Sequence, residues 1–492
     1  MDTASFLLAL PEAIVLALTC VILVVDVFLP EAGRHRFANI ATHLTLLLAA
    51  VATLFVLAAF GDGPVYAFND MFVGDAMAHV LKLASYIAVA AGLMYSRGYL
   101  AERGLLRGEF FVLVLFSLVG MMVMISANSL ITLYMGLELQ ALSFYALIAF
   151  NRDSSISTEA AMKYFVLAAL ASGLLLYGMS MLYGATGTLE ITAIWESIQR
   201  GEANQVLLVF ALVFVVAGVA FKIGAVPFHM WIPDVYDGAP NAVTILLSSA
   251  PKLAAFAIAI RLLVNGMGPL AMEWQQMLVI LAVLSLAVGN IVAIAQTSLK
   301  RMLAYSAISH MGFMLIGLAS GVVNGNLFSA VDAYGAAMFY TIVYVLMSLG
   351  SFGLVLLMSR EGFEGDKLDD LRGLNRRSPW LAFMALIVMF TMTGIPPTVG
   401  FHAKLGVIKA AVAAGQLWLA IAAVLFSLVG AFYYLRAVKL MYFDEPVAME
   451  PLRRDLDLRL VFSVNGLALL LLGILPDTLL EICLASVRSL TI

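Results

Sequence analysis

From Ser5 to Ala485 the chain is a succession of long apolar stretches with little between them, and that pattern limits its fold more than any other feature. About 20 residues of helix cross the hydrocarbon of a bilayer at a rise of 1.5 Å per residue. About fourteen stretches fit that description. They run roughly over 5–29, 37–60, 76–96, 110–125, 129–150, 160–183, 205–236, 241–264, 274–296, 298–320, 330–359, 379–413, 417–443 and 458–485. They consume most of the 492 residues, so no extramembrane domain fits between them. Open sheets cannot sit in lipid and no alternating pattern is present, so the expected fold is all-α and polytopic.

Composition closes off the other classes. Hydrophobic residues make up 63% and charged residues 12% of the chain, against about 25% charged in a soluble domain. Mean hydropathy is +1.02. A net charge of −4 supplies no basic field for nucleic acid. The two cysteines, Cys20 and Cys483, lie inside apolar stretches and make neither a disulfide framework nor a cysteine metal cluster. The opening MDTASF has no basic residue, so the first stretch reads as a retained helix rather than a signal peptide.

Loop charge sets the expected orientation. Sixteen basic residues fall in one set of alternate loops, among them Arg34, Arg103, Arg152, Lys300, Arg301, Arg376, Arg453 and Arg454. Arg200, Arg261 and Arg488 fall on the other side. The positive-inside rule makes the first side cytoplasmic and puts both termini outside.

Two stretches carry helix breakers near mid-depth. The seventh reads FKIGAVPFHMWIP, with Pro227 and Pro233, and the twelfth reads FTMTGIPPTVGF, with Gly394, Pro396, Pro397 and Gly400. Proline removes an amide donor and clashes with the preceding turn, so both helices are expected to be discontinuous. They lie five stretches apart, and an odd offset reverses direction through the membrane. Two five-helix units would then be inverted repeats with sites at the broken helices, an arrangement common in transporters. Two unrelated kinked helices are the alternative.

Ionisable side chains inside the apolar stretches name the candidate site. A charge at a helix centre costs about 2.5–3.5 kcal/mol on insertion scales. Glu138, Lys222, Lys252, His310 and Lys404 all fall near mid-depth, with Lys163 nearer a span end. Burial disfavours the charged form of a lysine and a nearby carboxylate favours it, so a Glu–Lys site changes its proton affinity as the pair opens and closes. Chains of such sites, bridged by water, relay protons. Against this, Lys163 and Arg261 lie close enough to span ends to snorkel, which is the favoured reading for Arg261. Glu138 has an alternative as helix glue, and His310 as a hydrogen-bonded core residue. Lys82, Asp26, Lys409, Arg436 and Lys439 are read as interfacial or interhelical. No P-loop, dinucleotide fingerprint or cysteine cluster is present, and no pair of histidines has haem-ligand spacing.

The segments LYMGLELQALSFYAL, EAAMKYFVLAALASG, FKIGAVPFHMWIPDVYDGAP, SLKRMLAYSAISHMGF, GIPPTVGFHAKLGVI and MYFDEP resemble, in order and over essentially the whole chain, the antiporter-like subunits of respiratory complex I, the bacterial NADH-quinone oxidoreductase. The resemblance implies a fourteen-helix fold with three N-terminal helices over 1–109, inverted repeats over 110–270 and 271–443, and a loop with a last helix over 444–492. It implies one proton-translocating unit of the membrane arm, in the bacterial inner membrane. In it Glu138 pairs with Lys222, Lys163 tunes the pair, Lys252 is the central relay, His310 a further member, and Lys404 serves the second half. Lys404 stands where subunit M has a glutamate, and the chain lacks the long lateral helix of subunit L. The implied partners are subunits M and K and that lateral helix, with lipid around them. NADH, flavin and iron–sulfur clusters would belong to other subunits, leaving no cofactor in this chain. A subunit of an Mrp-type Na⁺/H⁺ antiporter is the runner-up, and a scaffold whose buried charges only join helices is a third reading.

Overall fold

The computed structural model describes residues 3–323, 325, 326, 329–446, 452, 455–488 and 490, without the side chains of 31 and 32. Arg453 and Arg454, counted among the loop charges, lie outside the described residues. The described chain is a bundle of helices. Twelve of them are long and apolar enough to cross a membrane. The other two of the expected stretches do not reach that measure on their own. Leu299–Leu318 is 20 residues long but carries Lys300, Arg301, Ser306, Ser309 and His310. The twelfth stretch is divided into Pro379–Thr393 and Val399–Ala413.

Burial sorts the helices. The run Asn241–Gly266 is wholly enclosed by protein and Ala330–Met358 nearly so, while Leu10–Phe28, Gly33–Phe60, Leu417–Tyr442 and Leu456–Ile474 bury a third or less. The outer helices present exposed Leu, Val, Ile and Phe side chains, as lipid contact requires. Without a hydrophobic drive between helices in lipid, close approach depends on small residues. A Cβ on Gly120 would stand 2.6 Å from Gly136 O, and one on Gly136 would stand 2.8 Å from Gly120 O. That joins Gly108–Ile125 to Leu130–Ile148. Gly289, 2.8 Å from Tyr305 O by the same construction, joins Ala271–Ile294 to Leu299–Leu318.

Both expected breaks are present and built alike. Gln205–Ile223 ends at Gly224 (φ +87°), a cis Val226–Pro227 bond follows, and the chain resumes as Trp231–Gly238. Pro379–Thr393 ends at Gly394 (φ +86°), followed by a cis Pro396–Pro397 bond and Val399–Ala413. Glycine at C′ takes the left-handed conformation that closes a helix, and the proline stands three residues later in both.

Three details differ from the sequence expectation. The eighth stretch is also broken, into Asn241–Ser248, Pro251–Ala259 and a π-helical turn Ile260–Gly266. Pro251 has no amide to donate, and the Ser249 hydroxyl turns back onto Ile245 O at 2.6 Å. The last stretch ends at Ile474, because Pro476 cannot continue it, and Asp477–Arg488 forms a separate amphipathic helix. A small hairpin, Val65–Ala67 with Phe72–Gly74 in the register Tyr66↔Val73, lies between the second and third stretches. Its outer edge is satisfied by Val73 N to Ser126 O (2.8 Å) and Asn128 N to Met71 O (3.0 Å), so no open edge is left on that side.

Candidate functional site

Each broken helix leaves one carbonyl that proline cannot serve. In a continuous helix Ile223 O would accept from the amide four residues on, which is Pro227; Thr393 O would accept from Pro397. A buried lysine takes each place. Lys252 Nζ donates to Ile223 O at 2.8 Å, and Lys404 Nζ donates to Thr393 O at 2.7 Å and to Ser427 Oγ at 2.8 Å. Lys252 is 2% exposed and Lys404 8%. Each ammonium also stands over an aromatic ring, Trp231 at 5.4 Å and Phe313 at 5.1 Å. Among the described residues neither makes an ion pair with a carboxylate within 4 Å, and the acceptors found for both are neutral.

Glu138 sits midway along Leu130–Ile148, half-buried, with Ser172 Oγ donating to its Oε1 while Tyr134 OH lies 3.1 Å from the same serine oxygen and can donate to it. Lys222 stands in the last turn before the first break, and among the described residues it makes no ion pair with Glu138 within 4 Å. Beside Lys222 is a cavity of about 20 Å³ lined also by Tyr145, Tyr164, Phe221 and Ser172, the last of which bonds Glu138. That is room for a single water, which needs at least about 10–15 Å³ on this measure and polar partners to hold it. Glu138 lies within electrostatic reach of Lys222, and Lys222 within reach of Lys252.

The two breaks are joined by hydroxyls on the central helix Ala330–Met358. Ser348 Oγ lies 2.8 Å from Ser248 Oγ and 3.1 Å from Ser248 O, its one proton shared between them, one turn before Lys252. Tyr344 and Tyr340 stand on the same stripe at four-residue intervals, the spacing of side chains on one helix face. His310 lies against both, its ring 5.5 Å from that of Tyr344 and its Nδ1 2.7 Å from Tyr340 OH. Its Nε2 is 3.1 Å from Tyr434 OH, which meets Ser306. Phe313, under the Lys404 ammonium, stacks on Tyr340 at 5.6 Å. His310 is thus fully hydrogen-bonded and 2% exposed, and within electrostatic reach of Lys404. The order Glu138, Lys222, Lys252, His310, Lys404 runs across the bundle.

Lys163 is not on this line. It is exposed and pairs with Asp234 Oδ2 at 3.0 Å and Glu159 Oε1 at 2.9 Å. Asp234 belongs to the half-helix after the first break and also accepts from Arg301 at 2.7 Å. Arg261 does not snorkel. It is 2% exposed, bonded to Asp75 Oδ2 at 2.6 Å and to Ile125 O at 3.2 Å. Arg261 does lie near the end of its helical run, but the helix turns it inward toward a carboxylate that caps Ala76–Glu102. Lys300, read as a loop cation, is likewise buried with Nζ on Ala239 O at 2.9 Å. Lys82 and Arg436 are interhelical, on Glu12 at 2.5 Å and on Ile294 O and Gln296 O at 2.9 Å.

Sequence reasoning missed Ser172, Ser248, Ser348 and the three tyrosines around His310. Hydroxyl residues are common in apolar helices, and only the rotation of each helix separates those that face a lysine from those that face lipid. Asp234 had a signal: two carboxylates, Asp234 and Asp237, within three turns of Pro227 at the end of an apolar stretch ask for cations.

The family described as NADH:quinone oxidoreductase/Mrp antiporter, TM, matches residues 127–430. NADH-quinone oxidoreductase subunit N of Thiobacillus denitrificans is 58% identical over 485 residues, covering 99% of this chain and 98% of that one. Subunit N of Herminiimonas arsenicoxydans is 55% identical over 492 residues and 99% of both. Among solved structures, a chain of respiratory complex I from Thermus thermophilus with bound aureothin superposes with TM-score 0.80 at 30% identity, covering 97% of this chain and 100% of that one. A chain of the Mrp complex from Dietzia sp. DQ12-45-1b gives TM-score 0.84 at 21% identity over 100% and 98%, a likeness of fold alone. The chain belongs to the NADH:quinone oxidoreductase/Mrp antiporter family of transmembrane subunits, among the relatives of subunit N.

Proposed function

We propose that this chain is a proton-translocating subunit of the membrane arm of an NADH-quinone oxidoreductase, moving protons outward while electrons pass from NADH to quinone in other subunits. The observation that carries the reading is the line of buried ionisable groups from Glu138 to Lys404, with each central lysine bonded to a carbonyl freed by a helix break. Glu138 and Lys222 form the opening site, Lys252 the central relay, His310 the link between halves, and Lys404 the site of the second half. Lys163 acts on the opening pair through Asp234 rather than by contact with Glu138. Moving one charge against 100 mV costs about 2.3 kcal/mol, which the partner subunits must supply. Flavin and iron–sulfur clusters belong to those partners, and this chain carries no redox centre of its own. Subunits M and K and the lateral helix of subunit L are its neighbours in the inner membrane. Fourteen spans in two inverted five-helix repeats, with both termini periplasmic, fit the matched breaks at Gly224 and Gly394 and the matched glycine contacts of the helix pairs at Gly120 and Gly289.

The test is Glu138→Gln or Lys222→Met in the assembled complex reconstituted into liposomes. Proton translocation driven by NADH oxidation falls several-fold while the complex persists on a native gel. Normal translocation in an assembled variant refutes the reading.

A further inference from the structure

A second group of buried charges lies away from this line, at the end of the bundle where Asp75 begins its helix. Lys82 Nζ and Glu12 Oε1 are 2.5 Å apart, with side chains 1% and 10% exposed. His79, 2% exposed, lies on the same helix within electrostatic reach of Lys82 and Asp75. Asp75 holds Arg261 at 2.6 Å. Tyr86, within reach of Glu12, contacts Thr53 at 3.2 Å. Among the described residues, and beyond their ion pair, neither Glu12 oxygen nor the Lys82 ammonium has a hydrogen-bond partner, and His79 Nδ1 has none. Phe72 of the small hairpin lies 5.0 Å over the ammonium and is braced edge-on by Phe68.

A purely structural role accounts poorly for this group. Desolvating two ions costs several kcal/mol each, and such a pair offsets the cost only when its remaining lone pairs and protons are satisfied by further hydrogen bonds. Here they are not. Apolar side chains of the same volume would join the helices as well. Three titratable groups of different kinds, two in contact and His79 three residues before Lys82 on the same helix face, are instead suited to exchanging a proton.

We propose that Glu12, Lys82 and His79 form a second proton-exchange site, with water as the carrier, beneath the hairpin Val65–Gly74. This rests on the proton-carrying reading above. In one state Lys82 is an ammonium and Glu12 a carboxylate. In the other an N–H bond of Lys82 has broken and an O–H bond of Glu12 has formed, leaving two neutral groups. A proton then enters or leaves at His79 Nδ1, the unpartnered nitrogen. The link to the main line is mechanical: Arg261 ends the same broken helical run that carries Lys252 and grips Asp75, beside His79.

The experiment compares three variants of the whole complex in liposomes. In Lys82→Arg the pair keeps its charges, but guanidinium does not release a proton. In Glu12→Leu/Lys82→Met both charges are gone and the volume is kept. Lys222→Met is the control. The site predicts that Lys82→Arg assembles and translocates protons at half the wild-type rate or less. If Lys82→Arg does not assemble, the double variant decides, and it must assemble with the same loss. Wild-type translocation by either assembled variant, or failure of the double variant to assemble, overturns the proposal. If Lys222→Met also translocates normally, the functional reading itself has failed; if only Lys222→Met is impaired, that reading stands and this site does not.

Discussion

Lys252 offers the sharpest separation between a lysine that moves protons and one that only fills a gap. Its ammonium is the donor for Ile223 O, which lies in a fully buried turn. Lys252→Met removes that donor and leaves a buried carbonyl unpaired, at a cost of about 1–3 kcal/mol. Removing a buried charge offsets part of it, and methionine, flexible and of similar length, fills the space. The net loss is therefore a minor part of the about 5–15 kcal/mol that hold an ordinary fold together, and the complex should assemble. Lys252→Arg keeps both the charge and a donor for Ile223 O. It does not give up a proton, because guanidinium stays charged at any working pH. If protons pass through this position, both variants lose NADH-driven acidification of the liposome lumen by tenfold or more, read with a pH-sensitive dye against the amount of intact complex. If the lysine is only a structural donor, Lys252→Arg acidifies at the wild-type rate. That result would refute the reasoning.

Three further outcomes follow from the geometry. Arg261→Leu strands Asp75 as a buried unpaired carboxylate, which costs about 3–5 kcal/mol, so the complex is depleted on a native gel; Asp75→Leu added to it restores assembly in part. Ser348→Ala, alone or with Ser248→Ala, removes the hydroxyls between Lys252 and His310 and slows proton translocation several-fold with less than about 1.5 kcal/mol of stability lost; unchanged translocation would mean that protons do not pass between these helices. Gly136→Val forces a branched side chain into the backbone of Gly108–Ile125 at Gly120, costing about 1–3 kcal/mol or more and lowering the thermal midpoint of the detergent-solubilised complex.

What was readable in the sequence follows from how each feature is encoded. Pro227, Gly394, Pro396 and Pro397 interrupt helices through their own backbones, so both main breaks could be placed without knowing a single neighbour. The break before Lys252 was hidden. Ser248, Ser249 and Ala250 read as ordinary helix, and Pro251 alone is compatible with the first turn of one. Position along each helix could be counted from the sequence, and that count is what singles out Glu138, Lys222, Lys252, His310 and Lys404 as one group. Facing could not. Arg261 and Lys300 lie near helix ends, and only packing shows that both turn inward. Lys163, also read near a span end, does stay exposed, and its partners there are Asp234 and Glu159. The hydroxyl bridge from Ser248 to Tyr434 was the least visible part, since it is made of four helices whose rotations are set by one another.

The central claim is that the two halves act in series. The direct measurement is proton translocation by the reconstituted complex carrying Lys222→Met, Lys404→Met, and both together. Groups that act as one unit are not additive, so the double variant should retain as much translocation as the worse of the two single variants. Losses that multiply in the double variant, or a single variant that translocates at the wild-type rate in an intact complex, would contradict the account.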